Sequence, residues 1–108
     1  MLIPLGPFSS VTPGTLVQIT SDTKLRSQSL LFQAFSNASH TNTGRVYLLS
    51  GNSAASAVRF ATLAVPTTNT IPSCSVTIPD SPASLSLPRF FIDADNATDG
   101  CDVSYAGP

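Results

Sequence analysis

Residues 89–105 read RFFIDADNATDGCDVSY, two runs of strand-forming residues on either side of a polar turn. The runs are Phe90–Ala94 and Cys101–Tyr105, and the turn ends in Asp99-Gly100, a dipeptide typical of tight β-turns. The pattern therefore predicts a C-terminal β-hairpin. Because four of the six acidic residues also lie here, the stretch has a second interpretation as a metal-binding or catalytic carboxylate cluster.

Strand-like runs of the same kind recur along the whole chain, separated by segments rich in Gly, Pro, Asn and Ser. The predicted strands are Leu2–Ser9, Thr15–Thr20, Ser29–Phe35, Arg45–Leu49, Val58–Val65, Cys74–Ile78, Arg89–Ala94 and Cys101–Tyr105. Several of these runs alternate apolar and polar residues, as half-buried strands do. We expect an all-β fold: a compact antiparallel β-sandwich or a jelly-roll-like barrel of about eight short strands.

Two segments fit this pattern less well. Ala54–Ala64 is rich in Ala, so its first half suits one or two helical turns, while its second half favours a strand. Pro79–Pro88 contains too many prolines for a central strand and is expected to be a surface connection.

The first eleven residues are apolar, contain two prolines and carry no charged side chain. We favour an edge strand that closes the sandwich, and an arm that docks on a neighbouring subunit stays open. Proline is tolerated in both, because neither needs every backbone N–H in a ladder. The remaining residues, 12–108, are expected to form a single β-sandwich domain.

The chain has few charges: 10% of its residues, with a net charge of −1. Binding to nucleic acid or to an anionic membrane surface requires a basic excess, so we expect neither partner. A surface made mainly of small hydroxyl side chains has little charge repulsion, which favours a subunit that ends packed in an assembly.

No apolar run approaches the ~18 residues of a membrane-spanning helix, and the first residues lack the basic region of a secretory signal. We therefore expect synthesis in a cytosol, where Cys74 and Cys101 are made as thiols. Both are predicted to lie buried at strand starts, and a disulfide formed later, in an oxidising medium, stays open.

Apart from the acidic residues, no residue pattern in the chain indicates catalysis. The one histidine, His40, lies in a polar loop, and the chain has no G-x-S-x-G elbow. We expect a solvated loop histidine, a protein that is not an enzyme, and no cofactor.

The acidic residues allow three interpretations. Asp93 and Asp95 stand two apart on a strand and thus on one face, as a glycosidase pair would, but the chain has no Trp to stack on sugars. Asp93 also begins a pattern like an EF-hand loop, which fails at Ala97, Thr98 and Ser104. We favour acids that shape the turn and predict no metal site; a weak, irregular Ca²⁺ site at Asp95 and Asp99 stays open.

Three segments together resemble a group of small tailed-phage virion proteins, some of which are capsid cement, or decoration, proteins. They are Leu31–Ala34, Asn42–Leu48, and Phe91–Asp95 with Asp99–Tyr105. The likeness covers roughly residues 12–106. The Phe35–Thr41 loop and the Pro79–Pro88 connection depart from the leaner pattern of that group, so the roles of these loops do not follow from it.

The resemblance implies a structural virion protein that binds the outer surface of a phage major capsid shell and stabilises it. It further implies a homotrimer located on the virion and synthesised in the host cytoplasm. The N-terminal segment would then serve as an anchor, and exposed aromatic rings would add contacts. The predicted interface residues are Leu2, Ile3, Leu5, Phe8, Tyr47 and Phe91.

Two other functions fit the same residues. One is a structural protein of the phage tail, neck or fibre. The other is a surface module that binds a receptor or a glycan, for which Tyr47 and Phe91 are the candidate stacking rings.

Overall fold

The computed structural model of the protein describes residues 2–9, 12–27, 29–35, 41–65, 75–78 and 85–106. The predictions that concern Cys74, His40 and residues 79–84 lie outside these ranges, as does most of the Phe35–Thr41 loop. The side chain of Leu2 also lies outside what is described. No helix in the described part of the chain is long and apolar enough to cross a membrane.

Ten β-strands and two single 3₁₀ turns make up the described structure. The strands are β1 (Leu2–Ser9), β2 (Val17–Gln18), β3 (Arg26–Ser27), β4 (Leu30–Ala34), β5 (Val46–Ser50), β6 (Val58–Leu63), β7 (Ser75–Ile78), β8 (Leu85–Ser86), β9 (Phe90–Ala94) and β10 (Gly100–Ala106). The 3₁₀ turns are Ala54–Ser56 and Leu87–Arg89. Alternation of apolar and polar residues explains the longer strands, since β4 reads buried, half-buried, buried, exposed, buried.

The strands form two four-stranded antiparallel sheets and one small ribbon. The first sheet has the order β1-β10-β4-β7, the second β2-β9-β5-β6, and β3 pairs with β8. The prediction of an all-β sandwich is therefore confirmed.

The strand pairing is nested along the chain. The first strand pairs with the last, β2 with β9, β3 with β8, β4 with β7 and β5 with β6. The chain thus resembles one long antiparallel ribbon, closed at β5–β6 and rolled so that its pairs, apart from the separate β3–β8 ribbon, alternate between two sheets. This winding is a jelly roll.

The predicted C-terminal hairpin is wrong. Strand β9 pairs with β2 and β5 in the second sheet, whereas β10 pairs with β1 and β4 in the first. Residues 95–99 therefore cross from one sheet to the other. The Asp99-Gly100 signal marks a reversal of the chain, but it does not determine which sheet the chain enters next.

The core lies between the two sheets. Its buried side chains are Ile19, Leu30, Phe32, Ala34, Val46, Leu48, Leu63, Leu87, Phe90, Ile92, Ala94, Cys101 and Val103. Phe32 is fully buried, and its ring centroid lies 6.2 Å from that of Phe90 and 6.4 Å from that of Phe60. Burial of a side chain of this size contributes about 2–3 kcal/mol of transfer free energy.

Strand β1 is an edge strand of the first sheet, and it pairs with β10 from Leu2↔Ala106 to Ser9↔Gly100. Its register shifts between Pro4 and Gly6, where Gly6 adopts a φ of +127° that other residues rarely reach. The apolar N-terminal segment is thus part of the sheet.

The two irregular segments differ in outcome. Ala54–Ser56 forms a 3₁₀ turn and Val58–Leu63 a strand, as expected. The end of the Pro79–Pro88 connection, by contrast, is structural: Leu87 is completely buried in the core, and its N–H donates to the carbonyl of Leu25. Leu87 therefore serves both as a core side chain and as a backbone hydrogen-bond donor. The proline-rich sequence around it did not indicate either role.

Candidate functional site

The predicted interface residues do not come together in the fold. Ile3, Leu5 and Phe8 belong to β1 in the first sheet, and the last two are partly buried against the core. Tyr47 and Phe91 belong to the second sheet. The five predicted residues whose side chains the structure describes therefore do not form one surface.

The expectation that Phe91 presents an exposed ring is wrong, because its side chain is only 4% exposed. It lies on the face of β9 opposite to the core residues Phe90 and Ile92, as the alternation predicts. The second sheet is therefore covered on both faces at this position. The alternation of apolar and polar residues did not predict the burial of Phe91, because that pattern assumes that one face of the sheet is open to solvent.

Tyr47 is half-exposed, and neighbouring side chains engage both its hydroxyl and its ring. Its hydroxyl donates to Oδ1 of Asp95 at 2.7 Å, and the guanidinium carbon of Arg59 lies 3.9 Å from the ring centroid. The hydrogen bond to Asp95 is the main reason that the pKa of Tyr47 is raised. Because Arg59 covers one face of the ring, that face is not available to stack on a sugar.

The acidic residues of the crossing segment hold the end of the sandwich together. We define the corner cluster as Asn42, Thr43, Gly44, Asn96 and Asp99. Asp99 is completely buried and accepts hydrogen bonds from the backbone N–H of Thr43 at 3.1 Å and of Gly44 at 2.7 Å. The amide of Asn96 donates to Asp99 at 3.2 Å and to the Thr43 hydroxyl at 2.9 Å.

Asn42 forms the second half of the corner cluster. It is 2% exposed, its Nδ2 donates to the carbonyl of Gly100 at 2.7 Å, and its Oδ1 accepts the Gly100 N–H at 3.1 Å. The side-chain amide thus adds to the backbone hydrogen bond that the Gly100 carbonyl accepts from the N–H of Phe35. The backbone N–H of Asn42 in turn donates to Phe35, which extends the pairing at the end of β4.

Gly44 is required here by close approach. A Cβ atom at this position would lie 2.7 Å from Nδ2 of Asn96 and 2.9 Å from Cβ of Asp95. Real Cβ atoms do not come this close to other atoms. Any larger residue at Gly44 would therefore push its own segment away from the segment that contains Asp95 and Asn96.

Asp93 and Asp95 are also used structurally. Oδ1 of Asp93 accepts the N–H of Gly14 at 2.9 Å, and Oδ2 of Asp95 accepts the N–H of Arg45 at 3.3 Å. Gly14 has a φ of +90° in a turn after Pro13, and this turn is fastened to β9 through the Asp93 carboxylate. The described residues contain no group of three or more His, Cys, Asp or Glu side chains that could hold a metal ion.

Cys101 carries a free thiol that is completely buried at the start of β10. Two effects raise the pKa of the Cys101 thiol to about 12. Burial of the thiol is the larger effect, and the negative charge of Asp102 is the smaller one. The group is therefore a neutral core side chain at ordinary pH. The predicted burial of Cys101 is confirmed, while its pairing with Cys74 falls outside the described residues.

Exposed apolar side chains in the described structure cluster on β6 and just after it. Val58 is 69% exposed, Phe60 43% and Val65 38%. Strand β6 is an outer strand of the second sheet, and among the described residues only β5 pairs with it. Sequence reasoning placed this strand but did not recognise its exposed edge; the absence of Pro and Lys from Val58–Leu63 was the available signal.

The acids at and around the corner cluster, Asp93, Asp95 and Asp99, are engaged in hydrogen bonds with other segments of the chain. Comparisons with known proteins add no assignment to this picture: no protein-family model, no curated protein and no solved structure matches the chain.

Proposed function

We propose that this protein is a non-enzymatic structural component of a phage virion, a decoration protein that binds the outer surface of the major capsid shell and stabilises it. In this role it works by contact alone and needs no cofactor. Its partners are the major capsid protein and further copies of itself.

The observation that carries the proposal is the use of the acidic residues. The chain offers three closely spaced carboxylates, those of Asp93, Asp95 and Asp99, and each accepts hydrogen bonds from backbone or side-chain donors of other segments. Carboxylates held in this way serve to fasten turns, and this supports a role in architecture over a role in hydrolysis.

The surface supports a binding role. The exposed apolar residues Val58, Phe60 and Val65 occupy one part of the sandwich, while charged residues are few across the whole chain. Cementing a shell relies on apolar and backbone contacts between subunits, and such contacts form most easily where charge is low.

Two further observations agree with the proposal without assigning it. Jelly rolls occur in viral capsid domains and also in lectins and cupins, so the fold is compatible with several functions. The shell as partner rests on the resemblance of Leu31–Ala34, Asn42–Leu48 and the C-terminal segments to small virion proteins.

The test is the copy number of the protein in purified particles of the virus that encodes it. Quantitative mass spectrometry is expected to find it in numbers comparable to the major capsid protein. Particles without it are expected to lose DNA at a lower temperature, and adding the purified chain back is expected to restore heat resistance. A copy number far below that of the shell subunit, with unchanged heat resistance, would contradict the proposal and indicate a tail or neck component.

Binding to a glycan is tested separately on a glycan array with the purified chain. Since Arg59 covers the ring of Tyr47 and Phe91 is buried, we expect no specific binding. Specific binding that is lost in a Tyr47→Ala variant would replace the cement role with a receptor-binding one.

A further inference from the structure

Strand β1 is fastened to the sandwich along one side only. It is the first strand of the chain, and in the described structure β10 is the one strand that pairs with it. Pro4 and Pro7 have no N–H to donate to this ladder, and the register shifts next to Gly6. Residues 3–8 are all half-buried or exposed. Detachment of β1 therefore uncovers no fully buried side chain among these residues.

The edge on which β1 lies, by contrast, requires a strand. Strand β10 contains no proline, and its residues Cys101 and Val103 are buried. Without β1 it would present a row of unpaired backbone groups, and open edges of this kind pair with other chains. Because all copies of the chain are identical, β1 of another copy offers the same register, from Leu2↔Ala106 to Ser9↔Gly100. The ladder therefore does not determine which copy supplies β1.

The connection that follows β1 is short. The strand ends at Ser9 in the first sheet, and residues 10 and 11 alone separate it from a turn in which the N–H of Thr15 donates to the carbonyl of Thr12 at 2.9 Å. This turn is fastened to the second sheet through the bond from Gly14 to Asp93.

The reach of this connection favours a strand that leaves its own copy. The three Cα–Cα steps from Ser9 to Thr12 cover at most about 11 Å. Packed sheets lie ~10 Å apart, so the connection from the first sheet to the second has little slack. Short connections with little slack favour exchange of the terminal element between copies, because the connection can then extend away from its own sandwich.

The charges allow two copies to come together at this edge. Strand β1 has no charged residue, and the single charge of β10 is Asp102, which lies opposite Pro7. The net charge of −1 adds little repulsion between whole chains. Exchange also keeps every contact of the strand, including those of Leu5 and Phe8 with the core, so its cost is the entropy of association.

We propose that copies of this chain exchange β1, so that β1 of each copy occupies the β10 edge of another copy. Each copy then donates one strand and receives one, which closes the assembly as a reciprocal pair or as a ring. Strand β1 is thus an edge strand of a sandwich and also an arm on a neighbouring subunit. A ring of three is compatible with the trimer that the family resemblance implies. The inference goes beyond the decoration role and does not rest on it.

A pair of cysteines across the ladder distinguishes an exchanged strand from one that stays in its own copy. Pro7 and Asp102 lie opposite each other, and both are exposed. The Cα atoms of opposite residues in an antiparallel ladder are about 4.5–5.5 Å apart, and a disulfide spans about 4.4–6.8 Å. The purified variant with Pro7→Cys and Asp102→Cys is oxidised and run on a denaturing gel without reductant. It is expected to migrate as covalent dimers or trimers.

The matched control carries Gln33→Cys with Asp102→Cys. Gln33 is exposed on β4 and lies opposite Asp102 on the other side of β10. Because β4 and β10 belong to the same copy in either arrangement, this pair is expected to cross-link within one chain and to migrate at the single-chain mass. The natural chain, oxidised in parallel, accounts for Cys74 and Cys101, and circular dichroism checks that both variants keep the fold.

Cross-links of the Pro7 and Asp102 pair at the single-chain mass would overturn the proposal. So would a natural chain that sediments as a monomer in analytical ultracentrifugation, or covalent multimers of the control as abundant as those of the test pair. Because these measurements use the isolated chain, a negative result leaves the decoration role to its own test on particles.

Discussion

At the scale of single residues, the corner cluster shows how a sandwich with few charges buries two polar side chains. Asp99 is completely buried and Asn42 is 2% exposed. Burial of such groups is tolerated when each finds hydrogen-bond partners. In the described part of the chain, no buried side-chain nitrogen or oxygen atom lacks a partner.

We predict that Asp99→Ala lowers the free energy of unfolding by about 2–4 kcal/mol, because the N–H groups of Thr43 and Gly44 lose their acceptor while they stay buried. Urea unfolding followed by circular dichroism measures the change. The control is Asp102→Ala, which removes an exposed carboxylate three positions away and is expected to cost less than about 0.5 kcal/mol. Equal losses in both variants would show that the corner cluster does not fasten the fold.

The buried thiol of Cys101 predicts a loss of stability at alkaline pH. Its pKa is about 12 in the fold and 9.0 as the ordinary value, so between these the unfolded chain releases a proton that the folded chain retains. The free energy of unfolding is unaffected by this thiol below pH 9. As the pH rises from 9 toward 12, the free energy of unfolding falls by about 1.4 kcal/mol for each pH unit.

The measurement for this prediction is urea unfolding at pH 8, 9 and 10, compared between the natural chain and Cys101→Ala. The natural chain is expected to lose about 1.4 kcal/mol more than the variant between pH 8 and 10. Parallel losses in the two chains would assign the alkaline effect to other groups.

The single residues were partly predictable from the sequence. The preference for acids that shape turns agrees with the bonds of Asp95, Asn96 and Asp99. Their partners were not predictable, since Gly44 lies 55 positions from Asp99 and no local pattern joins the two loops. Burial of Asn42 was missed because Thr41–Gly44 has the composition of an ordinary exposed turn.

At the scale of elements, alternation of side chains was sufficient to locate most strands but not to pair them. The Asp-Gly signal predicted a hairpin between β9 and β10, and a local signal of this kind contains no information on which sheet follows. The nested order of the jelly roll pairs strands that are distant in sequence, apart from β5 and β6, so no local pattern in the sequence determines it.

The position of each aromatic ring within its element predicts its contribution to stability. Phe32→Ala on the central strand β4 is expected to lower the free energy of unfolding by about 3–5 kcal/mol, since the ring is fully buried between the sheets. Phe60→Ala on β6 is expected to lower it by about 1–2 kcal/mol, because 43% of that side chain is already exposed.

Denaturation with guanidinium chloride compares the two phenylalanine variants, and measurement at low protein concentration keeps association out of the comparison. A loss for Phe60→Ala as large as for Phe32→Ala would mean that β6 is covered in the isolated chain.

At the scale of the whole molecule, the N-terminal segment belongs to the sandwich. Strand β1 pairs with β10 along its length, and Leu5 and Phe8 pack against the core. We predict that deletion of residues 2–9 lowers the free energy of unfolding by at least about 3 kcal/mol, from two half-buried side chains and the lost ladder.

Thermal unfolding of the truncated chain tests this prediction, with the double variant Leu5→Ala and Phe8→Ala as an intermediate case. The double variant is expected to lose less than the deletion, because it keeps the backbone ladder. If the truncated chain is as stable as the full one, residues 2–9 do not stabilise the sandwich. The alternative of an arm that docks on a neighbouring subunit would then be favoured.

The pairing of the first strand with the last has a mechanical consequence. Leu2 lies opposite Ala106, so the outer ends of β1 and β10 lie side by side at one end of the ladder. A force applied to these two ends would open the ladder one residue pair at a time, like a zipper, and would not shear all its hydrogen bonds together. The molecule therefore resists tension poorly through its ends, and any load it bears in an assembly must pass through its sheet faces and side edges.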